Sequence, residues 1–173
     1  TILLLALSMS MDAFSLSLIY GTIVMSNKKQ LMVSLIVGLF HFFMPLLGIM
    51  LGNSLIDALH IKIHIVLTFI LVFIGIEMIL SSYEKREKPT ILNFKGMILF
   101  GLAVSIDSFT LGTCVKAITD NYIFVSSTFF IVSAASSFLG LKLGRKISEH
   151  IGKYSTLIGG IVLIVIGVLL IFT

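Results

Sequence analysis

Charged residues are scarce in this chain of 173 residues, because Asp, Glu, Lys and Arg together make up only 12% of it. A typical soluble domain has about 25% charged and about 45–50% apolar residues. Here the hydrophobic fraction is 58% and the mean hydropathy is +1.17. One soluble core cannot bury so much apolar surface, so the composition predicts an integral membrane protein.

Cysteine is almost absent, since Cys114 is the only one. A single cysteine excludes a disulfide within the chain and any multi-cysteine metal cluster. The sequence also lacks an HExxH motif and a Ser/His/Asp arrangement, and the apolar runs leave little length for a catalytic domain. We therefore expect neither enzymatic activity nor a permanently bound cofactor.

Long apolar runs take up most of the chain. A helix needs about 20 apolar residues to cross about 30 Å of hydrocarbon. Six runs of this length lie between the charged stretches, so the sequence predicts an all-α integral membrane protein with six transmembrane helices. The predicted spans are residues 2–24, 31–52, 62–82, 96–116, 122–142 and 155–173.

The basic residues lie at the ends of these spans and in the loops between them. Only Lys62 and Lys116 lie on one side of the membrane, and the other ten lie on the opposite side. Cytoplasmic loops are enriched in Lys and Arg, so we expect the ten in the cytoplasm and both termini to be extracytoplasmic. Charge spread over three short loops indicates topology and not nucleic-acid binding. The ten are Lys28, Lys29, Lys85, Arg86, Lys88, Lys95, Lys142, Arg145, Lys146 and Lys153.

The two halves of the chain resemble each other. The segment SMDAFSL at residues 10–16 aligns with SIDSFTL at residues 105–111, an offset of 95 residues. Residues 1–83 and 96–173 each hold three spans, and residues 84–95 form a charged cytoplasmic linker. Because three is odd, the second half enters the membrane from the opposite side, which is the inverted repeat typical of secondary transporters. Further matches, at an offset of 92, are Leu47/Leu139, Gly48/Gly140, Gly52/Gly144 and Gly75/Gly167.

Ionisable side chains lie inside the predicted spans. Asp12, His41 and Asp107 fall near the middle of the first, second and fourth spans, and Glu77 lies about one turn to the cytoplasmic side of the third span's centre. A charge at this depth costs about 2.5–3.5 kcal/mol. The lysines in the spans lie only at their ends, so none balances the acids, which are either protonated or paired with a mobile cation. A site that alternates between these states is a cation/proton exchanger.

Hydroxyl groups accompany the two aspartates. Ser8, Asp12 and Ser15 share one helical face, as do Ala103, Asp107 and Thr110. Such hydroxyls donate oxygen to an ion or bond back to their own helix. In the same way His41 is either a ligand or a structural group, and Glu77 either reaches the cytoplasmic surface or pairs with His41. Ser10 and Ser105 complete the polar lining that we expect.

Carboxylate, hydroxyl and imidazole groups make a mostly hard ligand set. Oxygen ligands suit Mg²⁺, Ca²⁺ or Mn²⁺, and an added nitrogen favours Mn²⁺ or Fe²⁺. We therefore expect a divalent metal ion as the transported substrate, and the lipid bilayer as the surroundings of the protein. Its candidate ligands are Asp12, Asp107, His41 and Glu77.

Several motifs together resemble one family. SMSMDAF at residues 8–14, MPLLG at 44–48, VSIDS at 104–108 and the apolar run from Gly159-Gly160 to Gly167 resemble the bacterial manganese efflux pump (MntP) family, of the LysE-type transporter superfamily. The resemblance implies a six-helix exporter in the bacterial cytoplasmic (plasma) membrane. It also implies that Asp12 and Asp107 are essential for Mn²⁺ transport. Two positions depart from the family pattern, because Glu77 stands where a basic residue is usual and His41 where Glu or Gln is expected.

Three functions are compatible with these features. The first is export of Mn²⁺ by alternating access. The second is a scaffold without transport activity, such as a sporulation membrane protein, in which the buried acids hydrogen-bond between helices. The third is export of another small solute, for which a substrate carboxylate needs cationic partners that the spans lack. Replacing the aspartates by asparagine separates the first function from the second.

Overall fold

The computed structural model describes residues 2–23, 25–51, 65, 68–80, 82, 93–115, 121–151 and 153–169. The predicted linker at residues 84–95 and the basic residues Lys62, Lys85, Arg86 and Lys88 lie mostly or wholly outside this set. The described residues form six α-helices. They are α1 (Ile2–Tyr20), α2 (Asn27–Leu51), α3 (Thr68–Leu80), α4 (Phe94–Val115), α5 (Tyr122–Ile151) and α6 (Lys153–Leu169).

The helices are apolar over lengths that suit a membrane. Within the described residues, three stretches are long and apolar enough to cross a bilayer: Ile2–Tyr20, Asn27–Met50 and Tyr122–His150. The described parts of α3 and α6 are apolar but shorter. Many large hydrophobic side chains point outward, among them Leu4 and Met50, which are 71% and 80% exposed. Water does not favour such a surface, whereas the hydrocarbon of a bilayer does.

The fifth helix is longer than the span predicted from the sequence. The prediction ended at residue 142, but α5 continues to Ile151. The extension is polar: Arg145 Nε donates to Glu149 Oε1 at 3.0 Å, and Arg145 Nη1 donates to Asn27 Oδ1 at 2.7 Å. The cluster of charges therefore ends the apolar span without ending the helix, and it joins the end of α5 to the start of α2.

Close contacts between backbones set the directions of the helices. Gly140 packs on the Phe14 carbonyl and Gly144 on the Leu18 carbonyl, so α5 runs parallel to α1. In the same way Gly101 packs on Phe40 and Gly112 on the Pro45 carbonyl, so α4 runs parallel to α2. Helices α2 and α5 run in opposite directions, because Gly38 contacts Phe130 whereas the earlier residue Asn27 contacts the later residue Arg145. Consequently α1 and α4 are antiparallel.

The glycine contacts recur at the offsets seen in the sequence. Gly140 faces the carbonyl oxygen of Phe14, and Gly48 faces that of Phe109. The two glycines are 92 residues apart and the two phenylalanines 95. A Cβ on Gly140 would lie 2.5 Å from the Phe14 oxygen, so only glycine permits this separation of the backbones.

The third and sixth helices pack against each other in opposite directions. A Cβ on Gly75 would lie 2.6 Å from the Gly160 carbonyl oxygen, and a Cβ on Gly167 would lie 3.3 Å from the Thr68 carbonyl oxygen. The Thr68 hydroxyl also donates to the Gly167 carbonyl at 2.8 Å. Gly75 and Gly167, and likewise Thr68 and Gly160, are 92 residues apart, so this pair of helices repeats the offset of α2 and α5.

These contacts predict the effect of adding one methyl group at equivalent glycines. We expect Gly48→Ala and Gly140→Ala each to lower the free energy of unfolding by about 1–3 kcal/mol, because a Cβ would overlap a backbone oxygen that cannot rotate away. In a chain of this size that loss lowers Tm by roughly 2–4 °C per kcal/mol, measured by thermal unfolding in detergent. Gly167→Ala is the control, because its new Cβ would meet its nearest neighbours at 3.2 Å. A smaller loss in both test variants than in the control would contradict the close-packing interpretation.

Candidate cation site

Two acidic side chains from opposite halves of the chain lie together in the structure. Asp12 on α1 and Asp107 on α4 line one cavity of about 290 Å³. Their carboxyl groups are close enough to hydrogen-bond to each other. The antiparallel course of α1 and α4 brings the middle of each helix to the same depth, and this is where the two aspartates stand.

The rest of the cavity wall is almost entirely apolar. Leu71 from α3 and Ile166 from α6 cover one side of it, and Ser15 is the other polar residue among its described lining. No Lys or Arg belongs to this lining. Asp12 is exposed and Asp107 is partly buried, and with a bilayer around them the two carboxyl groups interact more strongly than they would in water. The pair therefore needs a proton or a cation to balance its charge.

The cavity extends to one side of the aspartate pair. Ser15 and Leu16 follow Asp12 along α1, and Ala103 and Val104 precede Asp107 along α4. Because the two helices are antiparallel, these four residues lie on the same side, toward the end of α1 and the start of α4. Further in this direction, the buried rings of Tyr20 and Phe100 stack with their centroids 4.2 Å apart.

His41 lies in α2 and is completely buried. Its Nδ1 lies 2.9 Å from the Val37 carbonyl oxygen, so this nitrogen carries the hydrogen and donates it. In the neutral ring Nε2 then has a free lone pair, and it has no hydrogen-bond partner among the described residues. Metal-binding histidines commonly have this arrangement, with one nitrogen fixed by a carbonyl and the other available. Asp12 is near enough to interact with the ring electrostatically.

The predicted hydroxyl lining is only partly directed at the cavity. Ser15 lines it, while its hydroxyl donates to the Met11 carbonyl at 2.9 Å. Ser10 and Ser105 are buried and donate to the carbonyls of Leu7 and Leu102, so both bond back to their own helices. Ser8 is exposed, and the side chain of Thr110 lies outside the described set.

Glu77 stands apart from the aspartate pair. It is partly buried on α3 and is not among the residues that line the cavity. Within the described part of the chain, no three His, Cys, Asp or Glu side chains are grouped closely enough to hold a metal ion. The arrangement seen here therefore pairs Asp12 with Asp107, while His41 and Glu77 lie outside a closed ligand cluster.

Two buried serines were not recognised from the sequence. Ser108 and Ser133 are both fully buried, and the hydroxyl oxygen of each has no hydrogen-bond partner among the described residues. Ser108 directly follows Asp107, and its backbone N–H donates to Asp107 Oδ1 at 2.8 Å. Ser133 follows His41 by 92 residues, the same offset as the paired glycines. That offset was the available signal for Ser133.

Comparison with known proteins identifies the family. Residues 24–171 match the family model described as "Putative manganese efflux pump". Proteins carrying this same name, with the designation MntP, are similar over nearly their whole length. The one from Bacillus pumilus is 33% identical, covering 99% of this chain and 94% of its own length. The one from Geobacillus thermodenitrificans is 31% identical, covering 98% and 93%. This chain belongs to the MntP family.

Membership of the MntP family confirms the resemblance drawn from the aspartate motifs and the glycine positions. A pump family and a set of long apolar helices together make this chain a multi-pass membrane protein. No solved structure matches the chain.

Proposed function

We propose that this MntP-family chain exports Mn²⁺ from the cytoplasm by alternating access, with Asp12 and Asp107 as direct ligands of the ion. One observation carries the proposal: two carboxyl groups from matching sequence motifs meet in an apolar cavity whose described lining has no basic residue. The names of the relatives supply the ion and the direction of transport.

Charge balance explains how such a pair moves an ion. Two carboxylates in contact repel each other strongly, so the empty site is stable only with bound protons. One divalent cation neutralises both carboxylates and replaces those protons. Binding of Mn²⁺ on one side and of protons on the other then gives electroneutral exchange through a single site. Transport, and not catalysis, is the activity that this arrangement supports.

The donor atoms fit the proposed ion. Carboxylate oxygens bind Mg²⁺, Ca²⁺ and Mn²⁺, and the available Nε2 of His41 shifts the preference toward Mn²⁺. Mn²⁺ is the transported substrate in this scheme and not a resident cofactor. Glu77 lies on α3, apart from the aspartate pair, and we assign it to the movement of protons.

We also propose that residues 1–83 and 96–173 are two inverted halves, joined by the linker at 84–95. The parallel packing of α1 with α5 and of α4 with α2 supports this proposal. When the halves are exchanged, α1 corresponds to α4 and α5 to α2, so each pair of helices takes the place of the other. The contacts of Gly48 with Phe109 and of Gly140 with Phe14 are exchanged in the same way. Among the described residues the cavity lines one side of the aspartates, as expected when one of two equivalent pathways is open.

The aspartates provide the direct test of transport. We expect the wild-type chain to restore manganese resistance to bacteria that lack their own exporter and to lower intracellular Mn²⁺. Asp12→Asn and Asp107→Asn keep the side-chain shape but remove the negative charge, so each is expected to abolish both effects. The measurements are growth in excess Mn²⁺ and cellular manganese by mass spectrometry.

Glu149→Gln is the control, since Glu149 is an exposed acid at the end of α5. Expression of every variant is checked in isolated membranes. A scaffold function predicts that the asparagine variants behave like wild type. Resistance that survives both aspartate substitutions, or a wild-type chain that is present in the membrane without lowering Mn²⁺, would contradict the proposal.

The orientation of the halves has a separate test. In a Cys114→Ala background, a cysteine is placed at Ser26 between α1 and α2, or at Asn121 before α5, where both residues are exposed. With both termini outside the plasma membrane, a membrane-impermeant maleimide labels the cysteine at position 121 in intact cells. It labels the cysteine at position 26 only after permeabilisation. The opposite pattern would reverse the proposed orientation.

A further inference from the structure

Among the buried polar atoms without a hydrogen-bond partner in the described residues, two occupy matching positions on α2 and α5: Nε2 of His41 and the hydroxyl oxygen of Ser133. Both side chains are 0% exposed. Buried polar groups in proteins are nearly always hydrogen-bonded, and exceptions mark places where an ion, a water or a catalytic group acts. The two atoms therefore point to a ligand that occupies this region during the transport cycle.

The positions of Ser133 and His41 along their helices place them at the depth of the aspartates. Ser137 shares a 2.7 Å hydrogen bond with Ser17 across the parallel helices α5 and α1. Ser133 precedes Ser137 by four residues, and Ala13 precedes Ser17 by four. Ser133 is therefore level with Ala13, the neighbour of Asp12. Parallel helices rise equally, so one turn on each keeps the residues at the same level.

A step of four residues along the parallel helices α2 and α4 gives the level of His41. Gly112 packs on the Pro45 carbonyl where α4 meets α2. Four residues earlier on both helices, His41 is level with Ser108, the neighbour of Asp107. His41 and Ser133 are thus level with the aspartate pair, one on α2 and the other on α5.

The two residues are also equivalent in the proposed two-half arrangement, on which this inference rests. Ser133 follows His41 by 92 residues, as Gly140 follows Gly48 and Gly167 follows Gly75. His41 lies close enough to Asp12 to interact with it electrostatically. When the two halves are exchanged, His41 and Asp12 correspond to Ser133 and Asp107.

We propose that Ser133 and His41 are the specificity-determining pair of the site, with Ser133 supplying an oxygen donor and His41 a nitrogen donor to the cation. The nitrogen favours Mn²⁺ over Mg²⁺ and Ca²⁺. The hydroxyl adds a donor without adding charge, so two carboxylates and one divalent cation remain neutral together. The site is therefore symmetric in charge and asymmetric in ligand chemistry.

An isosteric pair of substitutions tests the Ser133 hydroxyl. Threonine and valine have nearly the same shape, and only threonine keeps the hydroxyl. In proteoliposomes with a Mn²⁺-sensitive dye inside, we expect Ser133→Val to raise the Mn²⁺ concentration for half-maximal transport about tenfold, the order seen when groups that support a metal site are removed. Ser133→Thr is expected to remain much closer to wild type.

Ser126→Ala is the matched control for Ser133→Ala. Ser126 lies on the same helix and is also fully buried with an unpartnered hydroxyl, but it is two turns away from the level of the aspartates. We expect Ser133→Ala to weaken Mn²⁺ transport and Ser126→Ala to leave it unchanged. Ser133→Ala adds no volume, so it carries the test if the valine variant does not fold.

His41→Ser tests the other half of the pair by making the two halves chemically alike. The variant is expected to lose discrimination, so that Mg²⁺ inhibits Mn²⁺ transport at lower concentrations than in wild type. An unchanged Mg²⁺ inhibition curve would overturn the role of His41.

The inference about Ser133 is overturned if Ser133→Val and Ser133→Thr transport Mn²⁺ alike, or if Ser126→Ala has the same effect as Ser133→Ala. Asp12→Asn and Asp107→Asn are measured in the same vesicles. If the Ser133 test fails while the two aspartate variants are inactive, the proposed function stands and only the role of Ser133 and His41 fails. If they transport normally, the proposed function itself fails.

Discussion

The contact between two acidic side chains within an apolar cavity is the constraint on which this structure depends. Asp12 and Asp107 come from different halves of the chain and are separated by 95 residues, yet their carboxyl groups are close enough to hydrogen-bond. Inside a membrane this contact cannot persist with both groups charged and nothing between them. The described lining of the cavity supplies no positive side chain, so the compensating charge comes from the aqueous phases. The proposed exchange of Mn²⁺ for protons rests on this condition.

The packing of the helices brings these two acids together. Gly140 and Gly144 let α5 approach α1 until backbone atoms touch, and Gly48 and Gly112 do the same for α2 and α4. Lipid offers no hydrophobic drive for helices to associate, so close backbone contact provides much of the attraction. The buried bond between Ser17 and Ser137 adds a polar contact to one of these pairs. Small residues therefore fix the helix registers, and the registers fix the depth of the acids.

Much of this arrangement could be predicted from the sequence, because membrane spans and repeated motifs leave local signals. The match between the segments around Asp12 and Asp107 predicted that both acids serve one site. The helix α5 continues to Ile151, beyond the predicted end of its span at residue 142, because charged residues end an apolar run but need not end a helix. Leu71 and Ile166, which cover the cavity, were not predicted, since their positions depend on contacts between distant helices. Ser133 was missed for another reason: one serine among many carries no signal until His41 is compared with it at the offset of the glycines.

The most direct measurement is a titration of the purified protein with Mn²⁺, followed by electron paramagnetic resonance. Free Mn²⁺ gives a six-line spectrum that is strongly reduced when the ion is bound at an asymmetric site. If the two carboxylates take their countercharge from the ion, the wild-type protein binds one Mn²⁺ per chain, and the double variant Asp12→Asn/Asp107→Asn leaves the free spectrum unchanged. Equal binding by the wild-type protein and the double variant would contradict the role of the aspartate pair.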